Sequence, residues 1–213
     1  MKKIYFVRHG ESEGNAGPIR QGPETPLTET GRSQAGLIAE RCVKLPLEAI
    51  IASTMKRAKE TAEIIAEKTK LSIESSDLFV ERKRPSVTIG KPKDDPESLA
   101  IEGEYQNKFY LSDERHSDEE NFDDLKQRAK EALAYLANRP EENILVVTHG
   151  LFLRIIIAYA TLGESLSGEE CRGFIRTFHT ENTGLTVLVY ETRDDPKISP
   201  WWLWVWNDHA HLG

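Results

Sequence analysis

In two short motifs of this sequence, one residue separates an apolar run from a histidine and a glycine. Arg8-His9-Gly10 follows Ile4-Tyr5-Phe6-Val7, and Thr148-His149-Gly150 follows Ile144-Leu145-Val146-Val147. Arg57 comes shortly after a third apolar run, Ala49-Ile50-Ile51-Ala52. Imidazole can attack phosphorus, and the planar guanidinium of arginine binds phosphate through two parallel hydrogen bonds. These residue types indicate phosphoryl chemistry.

The elements around these motifs should bring them together. Each apolar run has the length of a strand, and a segment with helical spacing of apolar residues follows it. This alternation predicts an α/β layered domain, in which ligands bind beyond the carboxyl ends of the strands. There the positive groups would repel one another unless an anion lay among them. We therefore predict a phosphate site formed by Arg8, His9, Arg57 and His149.

The remaining elements follow from the same patterns. Strands are expected at residues 4–7, 49–52, 71–73, 144–147, 173–178, 184–190 and 201–206. Helices are expected after Thr28, after Ser53 or Thr54 as N-cap, from Phe122 to Leu136, and from Leu151 to Leu162. No regular element is assigned to the polar segment 79–116, which contains several prolines and glycines.

The composition limits the classes of function. The chain has 213 residues, of which 38% are hydrophobic, and its net charge of -7 argues against general affinity for nucleic acid or an anionic membrane. No apolar run is long enough to cross a bilayer, and the first residues lack a signal-peptide pattern, so a cytoplasmic location is expected. Cys42 and Cys171 are expected to be buried thiols.

The motifs together resemble the phosphoglycerate-mutase-like proteins of branch 1 of the histidine phosphatase superfamily. Their order and approximate spacing match from residue 4 to about residue 163. The matching positions are Arg8-His9-Gly10-Glu11-Ser12 with Asn15, Leu27-Thr28 with Gly31 and Gln34-Ala35, Ala52-Ser53 with Arg57-Ala58 and Thr61-Ala62, and Thr148-His149-Gly150.

The resemblance implies a fold and a reaction. The fold is a three-layer α/β/α sandwich with a mostly parallel central sheet, in one domain over residues 1–213 with a cap-like polar insertion at about 79–116. In the reaction, His9 becomes phosphorylated and Glu81 donates a proton to the leaving group. The implied phosphate and substrate ligands are Arg8, Asn15, Gln21, Gly22, Arg57, protonated His149 and Gly150. No metal and no cofactor are implied.

Three functions stay open. A histidine acid phosphatase-type phosphomonoester hydrolase is favoured, because the chain lacks the longer insertions expected of a cofactor-dependent phosphoglycerate mutase. The alternatives are such a mutase and a non-catalytic regulatory protein that binds a phosphorylated ligand. The expected partner is a phosphorylated small molecule rather than nucleic acid or membrane, and a homodimer is left open.

Several residues outside the motifs have two interpretations each. The basic run Arg82-Lys83-Arg84 either reaches over the pocket or is a solvated loop, and the tryptophans of the segment 201–206 are expected to pack onto the core. His209 and His211 are too few ligands to predict a metal site. Most other acidic residues of the insertion, such as Glu102 and Glu104, are expected to be solvated.

Overall fold

The computed structural model describes residues 1–110, 115–192, 194 and 198–213. Within these residues the chain forms six strands and seven α-helices: β1 Lys2–Arg8, α1 Glu13–Ala16, α2 Glu29–Cys42, β2 Ala49–Ser53, α3 Lys56–Thr69, β3 Ile73–Ser76, α4 Pro96–Lys108, α5 Phe122–Ala137, β4 Asn143–Thr148, α6 Gly150–Leu162, α7 Gly168–Thr177, β5 Leu185–Tyr190 and β6 Trp201–Asp208. No helix among them is long and apolar enough to cross a membrane.

The strands form one mixed sheet in the order β3-β2-β4-β1-β5-β6. The first four strands in that order pair in parallel, whereas β5 and β6 are antiparallel. The prediction of an α/β fold with a mostly parallel central sheet is confirmed.

Both faces of the sheet are covered. Ile4 and Phe6 of β1 pack into one core cluster together with α5 and α6, and Tyr5 and Val7 pack into a second cluster with α2 and α3. Successive side chains of a strand point to opposite faces, so a strand covered on both sides must be apolar throughout. This explains why β1 and β4 are apolar runs and not alternating ones, and it gives the three predicted layers.

The strand register places the motifs side by side. Arg8 at the end of β1 is paired with Thr148 at the end of β4, and Ala52 of β2 is paired with Val147 of β4. The loops that follow β1, β2 and β4 therefore leave the sheet at the same edge. The predicted convergence of the three loops is confirmed.

Two local predictions are wrong. Residues 173–178 do not form a strand, because most of them belong to α7, which begins with a capping box between Ser167 and Glu170. The N-cap of helix α3 is Met55, so the prediction of Ser53 or Thr54 at that position is wrong. The third strand exists, but it lies at β3, two residues beyond the predicted start.

The polar insertion contains more regular structure than its composition indicates. Helix α4 begins at the N-cap Asp95, whose carboxylate accepts from the Ser98 amide, and has a proline in its first turn. Tyr105 and Phe109 from this segment are buried in the core. Residues 111–114 of the predicted insertion lie outside the described residues.

The tryptophan prediction is half right. Trp201 and Trp206 pack against the core. Trp202 and Trp204 are 37% and 51% exposed and stack on each other with ring centroids 5.8 Å apart. Both cysteines are buried free thiols, as predicted.

Two glycines of α2 give a matched test of how the loop after β1 is packed. A Cβ added at Gly31 would lie 1.9 Å from the Glu11 carbonyl oxygen, whereas one added at Gly36 meets nothing within 4 Å. Gly31→Ala should therefore lower the free energy of unfolding by about 1–3 kcal/mol or more. Gly36→Ala should raise it by about 0.5–1 kcal/mol, because alanine favours the helix. Urea unfolding of both variants checks this, and equal effects would contradict the packing described.

Candidate active site

His9 lies in the loop that leaves β1 and is only 2% exposed. Its backbone N–H donates to the Thr148 carbonyl oxygen at 2.9 Å, which ties it to the end of β4. Its Nδ1 lies 2.6 Å from the Gly10 carbonyl oxygen. A carbonyl oxygen can only accept, so Nδ1 carries the proton and Nε2 carries a lone pair. This tautomer is the one that a nucleophilic histidine needs.

Arg57 contacts that lone pair. Its Nε donates to His9 Nε2 at 3.2 Å, and its Nη1 donates to the Gly22 carbonyl oxygen at 3.0 Å. Burial lowers the pKa of Arg57 to about 10, with Glu81 opposing the shift and Arg8 adding to it. The guanidinium thus stays charged at neutral pH and holds a positive group against the His9 ring.

Arg8 is held by the loop that carries Thr180. Its Nη1 donates to the Thr180 carbonyl oxygen at 2.6 Å, while its buried Nε has no partner among the described residues. A Cβ at Gly150 would come within 3.2 Å of Arg8 Nε and 3.0 Å of the Thr180 hydroxyl. Gly150 thus leaves the space in which the Arg8 guanidinium lies.

His149 lies behind His9 rather than in the cavity wall. The two ring centroids are 5.1 Å apart, and His149 is fully buried. Its Nε2 is hydrogen-bonded to the Ser53 hydroxyl at 2.7 Å, and its Nδ1 has no partner within the described part of the chain. An unpaired buried nitrogen is costly and is typical of a site built to receive a ligand.

The charge state of His149 differs from the sequence prediction. Burial lowers its pKa well below the usual range, and the charges of Arg57, Arg128 and Arg8 lower it further. The ring is therefore neutral at pH 7 in the protein alone, whereas a protonated His149 was expected. The pKa of His9 is lowered in the same way, by burial first and then by His149 and the arginines.

Glu81 binds the N-terminus of α6. Its Oε2 accepts from the Leu151 amide at 3.1 Å, and its Oε1 accepts from the Phe152 and Arg82 amides at 3.1 and 3.0 Å. Burial raises the pKa of Glu81, but the hydrogen bonds from Arg82 and Leu151 and the charges of Arg82 and Arg57 outweigh burial, so the net shift is downward. The carboxylate is ionised in the protein alone, as expected of an anion at a helix N-terminus.

These groups meet at one cavity of about 670 Å³. Eight of the nine predicted site residues line it, together with residues that the prediction did not include: Arg8, His9, Asn15, Gln21, Gly22, Arg57, Glu81 and Gly150. The ninth, His149, lies just behind this wall. Ser12 is the N-cap of α1, and Asn15 completes the capping box with it. The Ser12 hydroxyl also donates to Gln21 Oε1 at 2.8 Å.

The basic run lines the cavity, which favours the first of its two interpretations. Arg82, Lys83 and Arg84 all contribute to the wall. Arg84 forms an ion pair with Glu102, which also binds Arg20 at 2.6 Å. Lys83 pairs with Asp118 at 3.2 Å. Arg82 forms no salt bridge with a described residue and lies over the Tyr105 ring, 5.2 Å from its centroid.

Several residues that shape the site were missed. Thr61 accepts from the Gly10 amide at 3.1 Å, Asn182 Nδ2 donates to the His9 carbonyl oxygen at 2.8 Å, and Arg154 and His179 line the cavity. Thr61 belongs to the Thr61-Ala62 motif, so its spacing from Arg57 was a usable signal. Asn182 and His179 reach the site from a late loop, and no local pattern marks them.

The two histidines near the C-terminus form other contacts. His209 Nδ1 bonds the Asn207 carbonyl oxygen at 2.8 Å, and His211 Nε2 bonds the Thr183 hydroxyl at 3.0 Å. The Thr183 amide in turn donates to the Arg8 carbonyl oxygen at 2.9 Å. The C-terminal tail therefore supports the loop that holds the end of β1.

The buried histidines predict that the free energy of unfolding falls as the pH is lowered. Their folded pKa values lie below the unfolded value of about 6.5, so the unfolded chain takes up protons that the folded chain does not. This stability is complete above about pH 7 and decreases over the range below about pH 6.5, with at most about 1.4 kcal/mol per pH unit from each ring. Urea unfolding across this range should give a shallower slope for His149→Gln than for the wild type. Equal slopes would contradict the neutral buried ring.

The chain is similar to known proteins over nearly its whole length. Residues 4–202 match the family model of the histidine phosphatase superfamily, branch 1. A probable phosphoglycerate mutase GpmB from Photorhabdus laumondii is 32% identical over 223 residues, covering 100% of this chain and 95% of the relative. The protein of the same name from Enterobacter sp. is 33% identical over 219 residues, with the same coverage.

Solved structures share the fold. Bacillus stearothermophilus YhfR superposes with a TM-score of 0.83 at 26% identity, over 100% of both chains. A mycobacterial glucosyl-3-phosphoglycerate phosphatase superposes with a TM-score of 0.77 at 24% identity, over 97% of this chain and 99% of that chain. With a family model that spans most of the sequence and relatives above 30% identity that span all of it, this chain belongs to branch 1 of the histidine phosphatase superfamily.

Proposed function

We propose that this chain is a phosphomonoester hydrolase of the histidine acid phosphatase type, acting through a phosphohistidine at His9. The observation that carries the proposal is the hydrogen bond from His9 Nδ1 to the Gly10 carbonyl oxygen, which leaves Nε2 unprotonated in the cavity wall. In the first step Nε2 forms a bond to phosphorus while the bond between phosphorus and the ester oxygen breaks.

The groups around His9 would stabilise the transferred phosphoryl group. Arg57 already donates to His9 Nε2, so its guanidinium lies beside the position that phosphorus would occupy. Arg8 Nε and His149 Nδ1 are buried nitrogens of this site that have no partner among the described residues, and phosphoryl oxygens would satisfy them. Fixed donors of this kind stabilise the charge that spreads over the equatorial oxygens. A bound phosphoryl dianion would also favour protonation of His149.

Glu81 would move the protons. The ionised carboxylate lies near Arg8 and Arg57, so a phosphoryl dianion entering the cavity would raise its pKa by repulsion. Glu81 then takes up a proton and gives it to the leaving ester oxygen, so that an alcohol departs. The resulting carboxylate accepts a proton from the water that attacks the phosphohistidine, which releases phosphate and restores His9.

The cavity supports a phosphorylated small molecule as the substrate. Its volume of about 670 Å³ lies within the usual range for small-molecule sites, and it is much larger than a phosphate group. Asn15, Gln21, Gly22 and Gly150 lie in the wall beside the phosphoryl position, while the basic run lies in the part formed by the insertion. An anionic substrate is attracted by these cations although the whole chain carries a net charge of -7.

A phosphoglycerate mutase is the second candidate, favoured by the printed name of the relatives described above. The two activities differ in whether water or a substrate hydroxyl takes the phosphoryl group from His9. A panel of phosphomonoesters should yield inorganic phosphate, and with 3-phosphoglycerate and a primed phosphohistidine the release of phosphate should outpace isomerisation. Faster isomerisation would assign the mutase. Phosphate binding without release from any ester would indicate a regulatory protein.

Three further expectations stay predictions. They are one domain over residues 1–213 with a cap-like insertion at about 79–116, a cytoplasmic location, and a homodimer as a possible assembly. The first gains support from Tyr105 and Phe109, through which the insertion packs into the core beside α5 and α6.

A further inference from the structure

Arg128 and Glu120 form a bidentate ion pair beside the segment that carries Glu81. Nε and Nη2 of Arg128 donate to the two carboxylate oxygens of Glu120, each at 2.9 Å. The two side chains are only 12% and 21% exposed. Paired charge-assisted hydrogen bonds of this geometry hold both groups in one orientation. The proposed chemistry uses neither residue.

Both partners also hold the backbone on either side of Glu81. Arg128 Nη1 donates to the Val80 carbonyl oxygen at 2.8 Å. Glu120 Oε2 accepts from the Lys83 amide at 2.7 Å, and the Glu120 amide donates to the Lys83 carbonyl oxygen at 3.1 Å. This segment has no regular secondary structure, so no helix or strand fixes it. The ion pair thus fixes the backbone one residue before and two residues after Glu81.

A third contact reaches the Glu81 carboxylate from α6. The guanidinium carbon of Arg128 lies 3.8 Å from the centroid of the fully buried Phe152 ring. The Phe152 amide is one of the donors that bind Glu81 Oε1. A cation over an aromatic face is attracted to it, most strongly where water is excluded. Arg128 therefore contacts both the chain that carries Glu81 and the helix end that binds its carboxylate.

We propose that the ion pair of Arg128 and Glu120 positions Glu81 for proton transfer to the leaving group. This inference rests on the proposed function, in which Glu81 is the acid. Neither Arg128 nor Glu120 belongs to the described wall of the cavity, so both act through Glu81 and not on the substrate. Proton transfer requires the acid to lie within hydrogen-bond reach of the ester oxygen. A small displacement of the Glu81 segment should therefore lower the rate of this step strongly.

The test compares kcat/KM for two esters that differ in their need for a proton. An alkyl phosphate loses an alkoxide that must be protonated, whereas p-nitrophenyl phosphate loses a stable phenolate. Arg128→Met should lower kcat/KM by roughly 10- to 100-fold for the alkyl ester and by less than about 3-fold for the aryl ester. The inhibition constant of inorganic phosphate should not rise by more than about 2-fold, because His9, Arg8 and Arg57 are untouched and loss of the Arg128 charge favours the protonated His149 that binds phosphate.

A double-variant cycle and a matched control separate positioning from general damage. In a Glu81→Gln background, Arg128→Met should produce no further change in the ratio of the two kcat/KM values. Arg139→Met is the control: Arg139 follows α5, pairs with Glu74 and Glu141 at 2.8 and 2.7 Å, and does not contact the Glu81 segment. That variant should leave the ratio unchanged.

Each contrary outcome has a definite meaning. The positioning role would be overturned if Arg128→Met lowered kcat/KM by the same factor for both esters. It would also be overturned if Arg128→Met still changed the ratio of the two kcat/KM values in the Glu81→Gln background. If Arg128→Met does not fold, Glu120→Gln should shift the ratio in the same direction, and an unchanged ratio overturns the inference. A wild-type protein that releases no phosphate, or a Glu81→Gln variant with an unchanged ratio, would instead refute the proposed function, and the inference with it.

Discussion

His9→Ala should lower kcat for phosphate release by at least about 10⁴-fold. The substitution removes the Nε2 atom that bonds phosphorus, and no described neighbour can replace it. Arg8 and Arg57 remain and still bind phosphoryl oxygens, so the loss should fall on kcat more than on the affinity for phosphate. Steady-state phosphate release together with calorimetric titration of inorganic phosphate measures both quantities.

The control for this variant is another histidine. His209 is exposed, and its side chain bonds only the carbonyl oxygen of Asn207 among the described groups, so His209→Ala should keep full activity. Thermal unfolding of His9→Ala should show a cooperative transition, which establishes that the fold survives. Undiminished turnover in a folded His9→Ala protein would refute the assignment of the nucleophile.

Glu81→Gln should have the second-largest effect, and the effect should depend on the leaving group. For alkyl phosphates kcat/KM is expected to fall by roughly 10²- to 10⁴-fold, the usual contribution of a positioned general acid. For p-nitrophenyl phosphate the fall should be much smaller, because its leaving group needs no proton. We expect kcat/KM, measured over a series of esters, to fall more steeply with the basicity of the leaving group for the variant than for the wild type.

A matched carboxylate controls for charge. Glu97 lies in the same insertion, is 74% exposed in its side chain and pairs with Lys91 at the surface. Glu97→Gln removes one negative charge there and should change neither ester's rate. If Glu81→Gln slows alkyl and aryl esters by the same factor, Glu81 does not protonate the leaving group.

The parts of the site that the sequence predicted are those set by local patterns. The strands β1, β2 and β4 are covered on both faces and are therefore apolar runs, which can be predicted as strands from the sequence alone. A site motif follows each of them. His9, Arg8 and Arg57 therefore lie where the parallel register requires. Glu81 came from the family resemblance, and its place on the N-terminus of α6 gives that resemblance a physical reason.

The parts that the sequence missed depend on contacts between distant segments. Residues 173–178 have the composition of a short strand, but the capping box at Ser167 and Glu170 and the buried Cys171 make the segment a helix. The Asp95-Pro96 start of α4 was a readable signal inside a segment dominated by polar residues. Asn182 reaches His9 across 173 positions of sequence, which no local pattern can reveal.

The charge states of His149 and Glu81 also could not be predicted from the sequence. The expectation of a protonated His149 came from its presumed role, whereas its pKa is set by burial and by the nearby cations Arg57, Arg128 and Arg8. Likewise Glu81 is ionised because backbone amides of α6 and of its own segment bind it. Both states depend on tertiary packing, and a bound phosphoryl dianion would shift both toward protonation.

The most direct test of the account is to trap the phosphorylated protein. A radiolabelled phosphomonoester, mixed with the protein and quenched rapidly in alkali, should leave label on the chain that is stable to alkali and lost in acid. Peptide mapping should place the label on His9, and His9→Ala should carry none. Label that survives acid, or that persists in His9→Ala, would contradict a phosphohistidine at His9.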